Sequence, residues 1–180
     1  MLTSISTAFL PLKSDSTLYA PVPKTGQTTS YATGDDGDLE LGVAWPSPRF
    51  IMGTTGVVTD TLTGLIWLEH ANCFDQRTWE QALTDTNTLN SGECGLNDGS
   101  VEGDWRLPNV RELQSLIDYG QIGPALPDGH PFTVPADGHW TSTARADSTS
   151  DAWALDLYAG NVVGNPKTRT YYVWPVRGGQ

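Results

Sequence analysis

Tryptophan placement constrains this chain more than any other feature. Trp67, Trp79, Trp140, Trp153 and Trp174 each fall inside a short β-branched or apolar-periodic run, spaced as core anchors on strands and one helix. Core packing is the reading favoured for each of them over sugar stacking. Seven tryptophans, 19 glycines and 12 prolines among 180 residues, with only 17% charged, describe a folded and loop-rich domain rather than an acidic disordered tail.

The local patterns fill in around those anchors. Val57-Val58-Thr59-Asp60 and Leu65-Ile66-Trp67-Leu68-Glu69, separated by Thr61-Leu62-Thr63-Gly64, form a hairpin signature. A first helix is expected from Thr78, where Thr78 and Gln81 make a capping box, to about residues 90–92. A second follows Pro108, with Asn109 as cap, Glu112 at N3, an apolar stripe of Val110, Leu113, Leu116 and Ile117, and Gly120 as the stop. From His139 onward the pattern is β: residues 140–143, 152–157, 161–163 and 171–176 are expected to complete a meander. Residues 25–38 read as turns, because Gly, Asp and Thr compete with helical backbone bonding. Hairpin, two helices and then antiparallel strands is an α+β order, not a βαβ repeat. Residues 1–23 read as an arm or linker and residues 24–180 as the domain. The first twenty residues lack a leader pattern, since Lys13 follows the apolar stretch instead of preceding it; the expectation is a start after a removed leader, or a native arm.

Charge narrows the partners. Ten basic against 21 acidic side chains give −11. Such a chain repels phosphate backbones, which argues against nucleic acid, and it carries no polybasic anchor and no membrane-length apolar run. The deficit is uneven: residues 49–139 carry −9, whereas residues 140–180, with four basic and three acidic side chains, carry +1.

Cys73 and Cys94 are not in a CxxC. They are either two buried thiols or a disulfide. A disulfide, the reading taken, would contribute about 3 kcal/mol by closing a loop of just over twenty residues, and would imply an oxidising compartment. Asp35, Asp36 and Asp38 are a candidate calcium cluster, the other reading being a solvated acidic turn; an EF-hand starting at Asp36 fails, with Leu41 at its sixth position and Ser47 at its twelfth. Asp98, Glu102 and Asp104 are a second such candidate. His70, His130 and His139 lack zinc spacing, and no nucleophile-elbow, dinucleotide or phosphate-loop motif is present, so the expectation is a non-enzymatic protein needing no cofactor.

Several stretches resemble one bacterial family. Val57 to Trp67 resembles its "TVTDNLTGLMW" opening, and Gly103-Asp104-Trp105-Arg106-Leu107-Pro108-Asn109-Val110-Arg111-Glu112-Leu113 resembles its "DWRLPTxKEL" signature. Trp140 to Thr143, Ala152-Trp153 and Tyr172-Val173-Trp174-Pro175-Val176-Arg177-Gly178 resemble its closing strands, and Pro23 to Thr28 its entry. The family is typified by the C-terminal domain of the Legionella collagen-like adhesin. The resemblance implies a C-type-lectin-like fold, secretion or cell-surface display, and a binding role with glycans as ligands. Two departures qualify it: the chain is strongly acidic, unsuited to sulfated polyanions, and has no collagen-like repeat. The calcium-chelating tripeptides of true C-type lectins are absent, as is the C-terminal cysteine pair of the formylglycine-generating enzymes that share that fold.

Within the signature, Arg106 is expected to pair with a carboxylate and stack on an aromatic ring, fixing the helix entry. Arg177 is likewise read as structural. The candidate ligand surface lies on the C-terminal strands and loops: Thr141, Ser142, Arg145, Asp147, Thr149, Asp151, Tyr158, Asn161, Lys167, Arg169 and Tyr171, polar residues that alternate with core anchors. An ordinary solvated sheet face is the competing reading. The expected partner is a glycan or protein. The alternative role is an assembly subunit whose arm, bearing Leu2, Ile5, Phe9, Leu10, Leu12 and Leu18, adds to a neighbour's sheet and makes a homo-oligomer.

Overall fold

The computed structural model describes residues 22–178, with nine strands, three helices and two sheets among them. It is an α+β architecture. The expected arm residues before position 22, including its six apolar side chains, lie outside the described residues. The described residues open with Val22 and Lys24 hydrogen-bonded across to Val43.

Sheet one is built on the expected hairpin. Strand β2 (Val57–Asp60) pairs antiparallel with β3 (Ile66–Leu68). Gly64 takes the turn's positive φ of 73°, a conformation cheap only for glycine. Strand β1 (Phe50–Met52), not expected from sequence, pairs on the outer side of β2, and β9 (Val176–Arg177) closes the other edge against β3.

Both helices start where their capping boxes put them. Helix α2 (Trp79–Thr88) is capped reciprocally by Thr78 and Gln81, and α3 (Val110–Gln114) by Asn109 and Glu112. Helix α3 is shorter than expected: it ends at Ser115, and the buried Leu116 and Ile117 belong to the turns that follow. Residues 36–39 depart from the expected turns. Asp35 accepts the Asp38 N–H and caps a single helical turn, α1 (Asp36–Leu39).

Sheet two runs β4 (Gln76–Arg77), β8 (Tyr171–Tyr172), β5 (Gly138–Ala144), β6 (Asp151–Asp156), β7 (Asn161–Pro166). The meander holds for β5, β6 and β7. It fails for residues 171–176. Tyr171 and Tyr172 run parallel to β5 on its far side, residues 173–175 cross between the sheets, and Val176 enters sheet one. Pro175 lacks the N–H that a continuous strand would need.

Two clusters make the core. The larger joins Val58, Trp67, Leu68 and Val176 of sheet one to Leu155 of β6 and to Leu113, Leu116 and Ile117 around α3. Trp174 fills its centre, 5.4 Å from Trp67 and 4.8 Å from Phe132 between ring centroids. The smaller packs Trp140, Ala152 and Ala154 of sheet two against Ala82 of α2, with Leu107 and Val173. The tryptophans therefore do not share one interior. Trp140 and Trp174 anchor separate clusters, while Trp79 and Trp153 are half-buried at the margins.

Candidate binding groove on sheet two

One face of sheet two divides into two halves. Across β5, β6 and β7 the paired positions run Gly138, Asp156, Asn161, then Trp140, Ala154, Val163, then Ala152 and Asn165. Helix α2 covers the Trp140–Ala152 half: Ala82 packs against the sheet, and the Trp79 indole N–H donates to the Thr141 carbonyl at 2.8 Å. The other half stays open. It forms a groove of about 410 Å³ lined by Asp137, Gly138, Ala154, Asp156, Asn161, Val163, Asn165, Arg169 and Tyr171.

Its wall depends on one glycine. A Cβ at Gly138 would lie 2.4 Å from the Tyr171 ring, so only glycine lets the ring rest on β5. The ring is then held edge-to-face against Trp140 at 4.9 Å. At one end of the groove, Asp137 accepts the Gly138 N–H (2.6 Å) and Asp156 accepts the Tyr158 N–H (2.9 Å), each through Oδ1. An ionised carboxylate accepts several hydrogen bonds, so both keep acceptor capacity. At the other end, Arg169 Nη1 donates to Asn165 Oδ1 (3.3 Å) and to the Tyr171 hydroxyl (3.2 Å). No carboxylate among the described residues pairs with Arg169.

Of the eleven residues expected from sequence, Asn161, Arg169 and Tyr171 converge in this groove, and Tyr158 is exposed on the adjoining β6–β7 turn. The others are used structurally or lie apart. Thr141 corrects the expectation outright. It is fully buried, and its hydroxyl donates to the Trp153 carbonyl at 2.7 Å. The cause is that β5 is buried on both faces over Gly138, His139, Trp140 and Thr141, so alternation with Trp140 does not turn Thr141 to solvent. Ser142 is half-buried, its N–H donated to Pro108. Arg145 is clamped by Asp147 (2.6 and 3.0 Å) and Asp151 (3.7 Å), lies over Trp153 at 5.2 Å, and fills the space where a Cβ on Gly164 would sit. Its hydrogen bonds hold the Asp147 carboxyl below the usual range. Lys167 reaches across to the Thr149 carbonyl (2.8 Å) and lies over the Trp79 ring at 4.2 Å. Asp137, Gly138, Ala154, Asp156, Val163 and Asn165 are the groove residues the sequence did not point to. Asp156 carried a usable signal, two places before Tyr158 on the face shared with Ala152 and Ala154.

The signature stretch is structural. Arg106 donates to both Glu112 oxygens at 2.7 and 2.8 Å and to the Gly178 carbonyl. Burial alone would raise the Glu112 carboxyl, but Arg106 and the Asn109 N–H outweigh it and hold it below its ordinary value. The stacking expected of Arg106 belongs to Arg177, which lies over Trp105 at 4.9 Å and pairs with Asp98 at 3.0 Å. Cys73 and Cys94 form the disulfide, with Cα atoms 5.5 Å apart.

The calcium reading is corrected. Asp35 is engaged by the N–H groups of Tyr31, Ala32 and Asp38, Asp38 by that of Gly34, and Asp36 by the Thr25 hydroxyl. Among the described residues no three acidic, histidine or cysteine side chains converge on a metal-sized site, which covers Asp98, Glu102 and Asp104 as well. Local capping occupies both carboxylate oxygens of Asp35.

No helix among the described residues is long and apolar enough to cross a membrane. No curated protein matches the chain. Residues 56–177, which hold the hairpin, both capped helices and every groove residue, match the model of the Lcl C-terminal domain, and the chain belongs to that family of surface-associated, adhesin-like domains.

Proposed function

We propose that the protein is a non-enzymatic binding and adhesion module of the cell surface or extracellular space, on a C-type-lectin-like scaffold, and that it engages a glycan or protein ligand through the open half of sheet two. The observation that carries this reading is the groove itself. It is a concave patch with an aromatic wall, the exposed apolar side chain of Val163, and charged groups at both ends. Sites of this kind combine apolar lining with a few placed polar groups, and its volume falls in the range they occupy. Family membership and a disulfide suited to an oxidising compartment support the surface location.

A glycan array run with a pull-down from host-cell surface extract tests the reading. It expects at least one ligand class retained above background; nothing retained by either method leaves sheet two an ordinary solvated face.

A second reading is favoured by one separate observation. Val22, Leu41 and Val43 are exposed apolar residues beside one another where residues 1–21 join the domain. The arm, or that of a neighbouring copy, would extend the short pairing at Val43 and cover them, making an assembly subunit. Light scattering on the full chain and on a chain starting at Val22 separates the two: a monomer in both cases removes the assembly reading.

A further inference from the structure

We infer that the groove's ligand is a neutral, hydroxyl-rich saccharide, bound without metal; this rests on the groove being the binding site. The argument is one of donors, acceptors and charge. Asp137 and Asp156 at one end are acceptor-only groups with free lone pairs, which call for hydroxyl donors. The other end offers donors. Arg169 is exposed and free of carboxylates among the described residues. Asn165 is only 9% exposed, and its single side-chain bond is to Arg169 through Oδ1. Its amide NH₂ has no partner among the described residues and lines the groove, a donor available to a ligand oxygen. Between the ends lie the exposed Val163 side chain and the Tyr171 ring, which suit the C–H face of a pyranose.

Each competing ligand class meets an opposing feature. Two carboxylates and one guanidinium give the groove one net negative charge, and the chain carries −11, so a sulfated or uronate polymer is repelled. A basic peptide is drawn to Asp137 and Asp156 but meets Arg169 at the other end, along a groove that continues the same floor. A saccharide hydroxyl is both donor and acceptor, carries no charge, and matches both ends. About 410 Å³ is near the lower end for ligand pockets, room for a short stretch of chain.

The test is a backbone and side-chain amide NMR titration of the intact protein. The probes are cellotetraose, chitotetraose and galactotetraose at millimolar concentration, with dextran sulfate and a lysine-rich peptide as charged comparators. Saturable shifts are expected with at least one neutral probe at the Gly138, Asn161 and Asn165 amides, including the Asn165 side-chain NH₂, unchanged by added chelator. Val163→Arg, which projects a charged side chain from an exposed edge position, should weaken that binding about tenfold or more. Its own spectrum and melting midpoint report that it is folded. Groove shifts with dextran sulfate or the peptide, and none with the neutral probes, would overturn the saccharide class while keeping the groove as a site. Shifts confined to other surfaces would overturn the groove as well, and no shifts with any probe would overturn the neutral-saccharide inference.

Discussion

The two halves of one face of sheet two are made by the same three strands and differ in what lies on them. Over Trp140 and Ala152, helix α2 supplies Ala82 and Trp79, and the polar atoms are spent internally: Trp140 donates to the Arg77 carbonyl and Trp79 to that of Thr141. Over Gly138, Asp156 and Asn161 no helix lies, and hydrogen-bonding capacity is left over at Asp156, Asn165 and Arg169. Elsewhere the guanidiniums of Arg49, Arg77, Arg106, Arg145 and Arg177 meet carboxylates, and Arg111 of α3, like Arg169, meets none among the described residues. The contrast separates charges that build the domain from charges that remain available. In the groove a guanidinium and two carboxylates stand without ion-pair partners among the described residues, on one concave face where a ligand can reach them.

Predictions that break or sharpen this contrast run from large to small. Removing a covered anchor should be costly. Trp140→Ala is expected to lose about 3–5 kcal/mol in chemical denaturation, the usual cost of truncating a buried aromatic. A loss near zero would mean that the covered half is not core.

Acid should also act on the buried side of the sheet. His139 is fully buried beside Tyr172 and Trp174, its Nδ1 bonded to the Asp137 carbonyl at 3.0 Å. Burial pushes the imidazole down from 6.5 to about 4. Protons therefore bind the unfolded chain first. The contribution is fully present above about pH 6.5 and is lost as pH falls toward 4, roughly 3 kcal/mol in all. His130 is lowered by burial too and acts in the same direction, whereas burial raises Asp118, which opposes them. Urea midpoints between about pH 7 and pH 4.5 should drop for the wild type and drop less for His139→Asn, which keeps a donor toward Asp137. Equal slopes in both proteins would remove His139 from the account.

Opening the disulfide by Cys73→Ala with Cys94→Ala should cost about 3 kcal/mol by the chain-entropy argument while leaving ligand binding intact, since the bridge is not among the groove residues. Glu112→Gln should cost about 1 kcal/mol through the weakened tie to Arg106, read as a small shift in melting midpoint, again without effect on binding.

The legibility of the molecule follows the same division. Both capping boxes, the β2–β3 hairpin and the Cys73–Cys94 bridge depend on a few neighbouring residues or one pair, and all could be read from the chain. The groove could not. It exists because Tyr171 returns to lie on Gly138, 33 residues earlier, in a parallel pairing that no local pattern announces. Strand alternation was a fair guide to Asn161 on β7 and Tyr171 on β8, while Arg169 lies in the turn that joins them. It misled at Thr141, where both faces of β5 are buried and alternation does not reach solvent. Single-turn α1 escaped notice because the Asp and Gly residues that disfavour a helix interior are also the ones that cap one.

The most direct measurement compares two arginine substitutions at exposed valines, Val163→Arg in the groove and Val101→Arg on a distant loop, for melting midpoint and for retention of whatever ligand the array and pull-down yield. Both variants should melt within a few degrees of wild type, as surface changes of about 0.5 kcal/mol do. Val101→Arg should keep the ligand and Val163→Arg should lose it. Full retention by a folded Val163→Arg protein would contradict the account, because the open half of sheet two would then not be where the ligand binds.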